Sequence, residues 1–156
     1  MGTEIERKFL VKGEFRPYVV KAMRITQAYI SSVAERTVRI RICDQKAYLT
    51  VKGKSNKAGM SRLEWEKEID IEDAKDLLRI CEEGVIDKTR YVVPESCGLK
   101  FEVDEFYGEN EGLLVAEIEL PSEDFPFDKP IWLGDEVTGD FRYFNSNLKN
   151  NPYKYW

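Results

Sequence analysis

Charged and apolar side chains alternate with a period of two along most of this chain. The run 4–8 reads Glu-Ile-Glu-Arg-Lys, 39–41 reads Arg-Ile-Arg and 117–119 reads Glu-Ile-Glu. Successive side chains of a β-strand point to opposite faces, so each run places its charges on one face. The pattern predicts eight strands, at about 3–11, 24–31, 35–43, 46–54, 60–71, 85–93, 99–107 and 112–120.

A few helices are expected beside these strands. Apolar residues recur at helical spacing over 72–83, just before Gly84, and this pattern predicts a helix there. Shorter helices are expected at 15–22 and, as a closing element, at 138–148. Asp44-Gln45 has the character of a tight hairpin turn. Consecutive antiparallel strands with few helices indicate the α+β class, and eight strands are enough to close a small β-barrel.

The charged faces have two interpretations. An open sheet would expose them to water, with cross-strand ion pairs that each contribute little. A closed barrel would instead hold the charges inside. Acidic and basic pairs recur on nearly every predicted strand, which the open sheet explains poorly.

Composition narrows the classes of function. A chain of 156 residues, 42% hydrophobic and 34% charged, predicts one domain over residues 1–156. Its net charge of -5 argues against general nucleic-acid binding. The chain has no His, so any metal must be held by carboxylates, which favour Mg²⁺ or Mn²⁺. Three Cys without metal-like spacing indicate reduced thiols in the cytoplasm, and no apolar run is long enough to span a bilayer.

Paired glutamates provide the candidate metal ligands. Glu4 with Glu6, and Glu117 with Glu119, project side by side from their strands and repel each other unless a cation neutralises them. A solvated strand face is the alternative for either pair alone. The weaker candidates, which would instead hold basic side chains in position, are Glu64, Glu66, Glu68, Glu102 and Asp104.

Basic side chains on the charged faces provide a candidate polyphosphate site. Several cations spread along a channel suit a chain of phosphates, and neither glycine-rich phosphate-binding motif is present in the sequence. The basic residues are Lys8, Arg39, Arg41, Lys52, Lys54, Arg62, Lys88 and Arg90.

Taken in order, these motifs resemble those of the CYTH superfamily, the triphosphate tunnel metalloenzymes. Glu4-Ile-Glu-Arg-Lys8 fits the family's ExExK signature, and the following strand motifs match up to Glu117-Ile-Glu119. The segment 134–145 is similar to the closing segment of short bacterial members, so the resemblance covers essentially the whole chain.

The resemblance implies an eight-stranded antiparallel tunnel that hydrolyses the terminal phosphoryl group of inorganic triphosphate or a related tripolyphosphate compound. It implies that Glu4, Glu6 and Glu119 bind Mg²⁺ or Mn²⁺, with Glu117 close by, and that Tyr29 faces the tunnel. The basic residues named above would bind phosphate. Glu117 and Glu66 are candidates to position the attacking water, and Lys88 is the candidate proton donor.

Other functions remain open on the sequence alone. A class IV adenylyl cyclase would use the same tunnel on ATP, a thiamine triphosphatase would share the chemistry, and a non-catalytic module would bind polyphosphate or nucleotide without turnover. Aromatic residues near the C-terminus favour either a homodimer or packing on the barrel. They are Tyr143, Phe144, Tyr153, Tyr155 and Trp156.

Overall fold

The computed structural model describes residues 2–156, in which nine β-strands and two short α-helices form. The strands are β1 Gly2–Val11, β2 Lys21–Ser31, β3 Arg36–Cys43, β4 Lys46–Gly53, β5 Ser61–Ile69, β6 Ile86–Pro94, β7 Lys100–Phe106, β8 Leu114–Glu119 and β9 Leu133–Glu136. The helices are α1 Ile71–Leu78 and α2 Asn145–Leu148.

All strand pairings are antiparallel, and eight strands close into a barrel. The hydrogen-bonded order is β5-β4-β3-β2-β6-β7-β8-β1-β9, and an additional β1–β5 pairing joins the ends of the sheet. The first half of β1 pairs with β5, placing Glu4 opposite Arg62, and the second half pairs with β8, placing Glu6 opposite Glu119. The predicted eight-stranded antiparallel barrel is confirmed, with β9 as an extra strand beside β1.

The apolar core lies on the outer surface of the barrel. Phe9, Phe101 and Ile118 alternate with charged residues on their strands and are buried. The segments between strands cover them, and Trp132 packs edge-on against Phe101 with ring centroids 5.2 Å apart. Because the apolar side chains of the strands point outward and are covered, the alternating charged side chains point into the barrel.

Helix α1 covers the outer face of β3 and β4. Asp70 caps its N-terminus by accepting a hydrogen bond of 2.8 Å from the Glu72 amide. Ala74 is fully buried against Ile40 of β3 and Ala47 of β4. The predicted helix over 72–83 was too long.

The helix ends early because the following segment is tied to other parts of the fold. The Glu82 amide donates to the Tyr29 carbonyl at 2.8 Å. Gly84 has a φ of 96° and packs against Lys149 so closely that a Cβ atom would clash.

The two other predicted helices were also wrong in extent. Only a 3₁₀ turn forms at Arg16–Tyr18. Val19 is already extended (φ -72°, ψ 129°), and the Val20 amide donates to the Val92 carbonyl at 2.9 Å. In the segment 138–148, a 3₁₀ turn at Phe141–Tyr143 precedes α2, because Phe144 is extended (φ -71°, ψ 130°) and interrupts the helix.

Several smaller features match the sequence or add to it. The Asp44-Gln45 hairpin turn is present, and Asp44 takes a left-handed conformation with φ 53°. Strand β9 was not predicted. Tyr143 is buried and packs on Trp156, whereas Tyr155 is 62% exposed. None of the helices within residues 2–156 is long and apolar enough to cross a membrane.

Candidate functional site

A cavity of about 170 Å³ lies inside the barrel and is called the tunnel below. Its walls carry charged side chains of both signs from most of the strands. The basic ones are Lys8, Arg39, Arg41, Lys52, Arg62, Lys88 and Arg90, and the acidic ones are Glu4, Glu6, Glu64, Glu66, Glu102, Glu117 and Glu119. Tyr29 also lines it. The closed barrel therefore brings together nearly all of the residues that the alternation singled out.

Three predicted tunnel residues lie elsewhere. Lys54 follows the end of β4 at Gly53, where strand alternation stops, and is exposed beside a second cavity of about 450 Å³. Glu68 is exposed and does not line the tunnel. Asp104 is fully buried behind the tunnel wall, where it binds two of the basic side chains.

One wall is built on an ion pair between β1 and β4. The Lys52 Nζ atom lies 2.9 Å from both carboxylate oxygens of Glu4, and Arg62 Nε lies 3.6 Å from the same group. Burial by itself would raise the pKa of Glu4, but the Lys52 ammonium outweighs it and lowers this pKa to about 2. Glu4 is therefore a carboxylate at neutral pH.

Next to this pair, like charges face each other. Glu6 of β1 and Glu119 of β8 are directly opposite in register, an arrangement that is unfavourable for two carboxylates. Burial, together with Glu117 and Glu4, raises the pKa of Glu6 to about 7. Burial and the charge of Glu4 also raise the pKa of Glu119.

A divalent cation would fit this cluster, because it would relieve the repulsion and accept carboxylate oxygens. Within the part of the chain that the structure describes, no three acidic side chains already converge into a cation site. Glu4 is turned onto Lys52, and Glu117 lies 3.4 Å from Lys8.

A second group of ion pairs crosses the tunnel from β1 to β6. Glu117 lies between Lys8 at 3.4 Å and Arg90 at 3.6 Å. Burial would raise the pKa of Glu117, but these two cations hold it well below its usual range. Glu117 is therefore an ionised hydrogen-bond acceptor inside the tunnel.

Behind this group, Asp104 anchors two cations. Arg90 donates to both Asp104 oxygens at 2.8 and 2.9 Å, and Lys88 Nζ lies 2.9 Å from Oδ2. Lys88 is only 1% exposed. Burial lowers the pKa of Lys88 to about 7, against the attraction of Asp104 and with the help of nearby Arg90 and Arg41.

Arginines of β3 supply positive charge that the protein neutralises only weakly. Arg39 lies 3.7 Å from the exposed carboxylate of Glu66, and Arg41 forms no ion pair with the described residues. Burial and the neighbouring Arg39 and Arg90 guanidinium groups lower the pKa of Arg41 to about 9. The Nε atom of Arg39 is buried and has no hydrogen-bond acceptor among the described residues. A buried donor without a partner is costly, so this wall is arranged to receive an anion.

Some tunnel residues were missed by the sequence reasoning. Thr37 and Thr50 line the tunnel, and Thr50 donates to Glu66 at 2.7 Å. Their period-two spacing from Arg39 and Lys52 was a usable signal. Phe144 and Asn145 also line the tunnel, but no local pattern marks them because they come from the C-terminal segment.

Comparisons with known proteins agree with this arrangement. A family model described as the CYTH domain matches residues 2–148. A protein of Acetivibrio thermocellus named inorganic triphosphatase is 52% identical over 155 residues, covering 99% of this chain and 97% of that protein. One of Nitrosomonas europaea with the same name is 36% identical, covering 94% of this chain and 96% of that protein.

Solved structures show the same fold. The present chain is 34% identical to an inorganic triphosphatase of known crystal structure. The two structures superpose with a TM-score of 0.67 over 94% of this chain and 97% of the other. At 18% identity, a protein from Hippeastrum supports the fold alone, with a TM-score of 0.62 over 76% of this chain and 80% of that chain. With its closed, charge-lined barrel and this match over nearly its whole length, the chain belongs to the CYTH domain family.

Proposed function

We propose that this protein is a metal-dependent triphosphatase that hydrolyses the terminal phosphoryl group of inorganic triphosphate or a related tripolyphosphate compound. The observation that carries the proposal is the weakly neutralised positive wall of the tunnel. There, Arg39 Nε has no hydrogen-bond partner among the described residues, and Arg41 is crowded by the Arg39 and Arg90 guanidinium groups. The two relatives named inorganic triphosphatase support the same reaction.

Substrate binding falls to the basic side chains that line the tunnel. Arg39 and Arg41 extend from β3, and Lys8 and Arg90 lie across the cavity beside Glu117. Guanidinium forks bind phosphate oxygens in pairs, and lysines add compact charge. A chain of several phosphates satisfies cations on several strands at once, which a single phosphate does not.

The acidic cluster would hold Mg²⁺ or Mn²⁺. Glu4, Glu6 and Glu119 are the proposed ligands, with Glu117 beside them. A divalent ion bound there supplies Lewis acidity to phosphate oxygens. In the metal-free site, burial and its acidic neighbours raise the pKa of Glu6 to about 7, so a cation that binds there would also displace a proton from Glu6.

Water and proton positions follow from the remaining groups. Glu117 is held ionised by Lys8 and Arg90, so it can accept a hydrogen bond from the attacking water. Glu66 is a second candidate, with a side chain 40% exposed to solvent and a hydrogen bond from Thr50. Lys88, with a pKa of about 7, gives its proton to the pyrophosphate leaving group.

The same tunnel chemistry would serve a class IV adenylyl cyclase, a thiamine triphosphatase or a non-catalytic binding module. The relatives at 52% and 36% identity carry the triphosphatase name, which favours hydrolysis of inorganic triphosphate. The products formed from ATP distinguish an adenylyl cyclase from a hydrolase, because a cyclase releases cyclic AMP and pyrophosphate whereas a hydrolase releases phosphate.

The test is phosphate release from inorganic triphosphate, ATP, thiamine triphosphate and pyrophosphate, each with Mg²⁺, with Mn²⁺ and with a chelator. Inorganic triphosphate should be the best substrate, and the chelator should abolish turnover. Glu4→Gln and Glu119→Gln should lose activity in either metal. Turnover that survives chelation, or full activity of both variants, refutes the proposal.

Further properties are part of this proposal. We expect residues 1–156 to act as one domain in the cytoplasm, with the three free cysteines Cys43, Cys81 and Cys97 reduced. A homodimer would use the C-terminal aromatics that remain outside, chiefly Tyr155 and Trp156, which are 62% and 40% exposed. Light scattering of wild type and Tyr155→Ser distinguishes a dimer from a monomer.

A further inference from the structure

The side-chain oxygen of Asn145 receives two hydrogen bonds at the wall of the tunnel. Lys88 Nζ donates to Asn145 Oδ1 at 2.8 Å, and Gln27 Nε2 donates to the same atom at 3.0 Å. Asn145 is the first residue of α2 and lies 57 residues along the chain from Lys88. No sequence motif joins these two positions.

The orientation of this amide is fixed by groups that can only donate. Arg41 Nε donates to Gln27 Oε1 at 2.9 Å, and Gln27 is fully buried. Gln27 therefore uses its oxygen on Arg41 and turns its NH₂ group toward Asn145. On the other side of Asn145, the Lys88 ammonium group likewise has only donor hydrogens and no acceptor atom. Only one assignment satisfies both ends, with the oxygen of Asn145 between Gln27 and Lys88.

Asn145 is held by packing as well as by hydrogen bonds. Leu148, at the end of α2, is fully buried in an apolar cluster with Ile86 and Phe106. Phe144, which precedes α2, lies under the Lys8 ammonium at 5.2 Å. The buried Leu148 and the half-buried Phe144, one on each side of Asn145, keep the amide from drifting, as positioning to a fraction of an ångström requires.

The charged groups around Lys88 leave a distinct role for Asn145. Asp104 faces Lys88 from β7, Glu117 from β8, Arg41 from β3, and Arg90 from the same strand, β6. Both Asp104 oxygens already bind Arg90, so this carboxylate is shared between two cations. The amide oxygen of Asn145 is the other acceptor that Lys88 contacts within the described residues.

We propose that Asn145 is a positioning residue, which aims the Lys88 ammonium at the oxygen that leaves with pyrophosphate. The inference rests on the proposed function. Water forms the new P–O bond to the terminal phosphorus, the P–O bond to the bridging oxygen breaks, and Lys88 transfers one proton to that oxygen. A proton lost from the attacking water balances the charge, and Lys88 regains its proton from solvent after product leaves.

Two near-isosteric substitutions test the proposal. Asn145→Leu removes the acceptor while keeping water out, and should lower kcat about 10- to 100-fold with much less change in KM. Losing an acceptor disfavours the ammonium, so the alkaline limb of the kcat profile should move to lower pH. Asn145→Asp supplies a negative charge, and should move this limb to higher pH. The two variants should therefore move the alkaline limb in opposite directions if Asn145 positions Lys88. Loosened packing alone would not produce opposite movements.

The control is Asn147→Ala, in the same helix. Asn147 donates to the Phe141 carbonyl at 2.9 Å and does not contact Lys88, so this variant should keep the wild-type pH profile. A second readout needs no turnover. The ¹⁵N signal of the Lys88 ammonium, titrated by NMR in metal-free protein, should show its pKa lowered in Asn145→Leu and raised in Asn145→Asp.

The outcomes separate this inference from the proposed function. If both Asn145 variants move the titration of Lys88 in the same direction, or leave it in place, positioning by Asn145 is refuted even with full turnover of triphosphate. If wild type does not hydrolyse triphosphate, the proposed function fails while the NMR titration still decides the role of Asn145. A kcat profile that lacks an alkaline limb, so that activity does not fall as pH rises through the pKa of Lys88, refutes the donor role of Lys88, not its positioning.

Discussion

The sharpest prediction on stability concerns Asp104, the carboxylate buried behind the tunnel wall. It is 0% exposed and accepts two hydrogen bonds from Arg90, at 2.8 and 2.9 Å, while Lys88 lies 2.9 Å away. Asp104→Asn keeps the shape but leaves the buried Lys88 without its carboxylate partner. It also leaves Arg90 with only Glu102 and Glu117, each 3.6 Å away. Breaking a buried ion pair on one side costs about 3–5 kcal/mol.

In this chain such a loss should lower Tm by about 6–20 °C, since 1 kcal/mol corresponds to about 2–4 °C at this size. The assays, at pH 6 where Lys88 is protonated, are thermal melting for Tm and urea unfolding for the free energy of unfolding, with wild type beside the variant. Asp128→Asn is the matched control, because Asp128 is exposed and should change stability by less than about 0.5 kcal/mol.

The difference in stability between wild type and Asp104→Asn should depend on pH in a defined direction. Burial would raise the pKa of Asp104, but Arg90 and Lys88 outweigh it and lower this pKa. The stabilisation is therefore complete above the unfolded pKa of about 3.9, and is lost as pH falls through the lower folded pKa. The difference between wild type and Asp104→Asn should persist from pH 6 down to about pH 4. A difference below about 1 kcal/mol at pH 6 would refute the reasoning.

Three further results are expected. Glu6→Gln should stabilise the metal-free protein by about 1–3 kcal/mol at pH 8 and not at pH 5. The reason is that the wild-type pKa of Glu6 is about 7, so that its unfavourable ionisation occurs only at the higher pH. Thermal melting at the two pH values checks this, and equal effects at both would contradict it. Arg39→Ala and Arg41→Ala should each raise KM for triphosphate about 10- to 100-fold in phosphate-release assays, whereas outward-facing Lys67→Ala should stay within about 2-fold. Lys54→Ala should change KM by less than about 3-fold, because Lys54 does not line the tunnel, and a larger loss would mean that it reaches the substrate.

Local alternation predicted much of the site. Glu4, Glu6 and Lys8 share a face because of the pleat of one strand, and so do Arg39 and Arg41. All five line the tunnel. The same rule would have included Thr37 and Thr50, had uncharged polar residues been counted with the charges. The rule fails where the strand ends, as at Lys54.

The extents of the helices were harder to predict from the sequence. The segment 72–83 has apolar residues at helical spacing, but α1 ends at Leu78 because the Glu82 amide bonds to β2 instead of continuing the helix. Around α2, the extended backbone of Phe144 breaks the predicted closing helix. In both places a tertiary contact or a single dihedral angle outweighed a periodic pattern, since helix propensities are weak.

By itself, the sequence determined which side chains share a face of each strand, because alternation is a property of the extended backbone. Its ordered motifs also indicated the family and, through that resemblance, the antiparallel barrel. Only the tertiary structure decided which faces meet. Pairing of β1 with both β5 and β8 places Glu4 opposite Arg62 but Glu6 opposite Glu119, so neighbouring glutamates have opposite electrostatic surroundings. Docking of α2 brings Asn145 to Lys88, which lies 57 residues away in the sequence, and this contact depends on the burial of Leu148 in the same helix. Such long-range packing leaves no periodic signal.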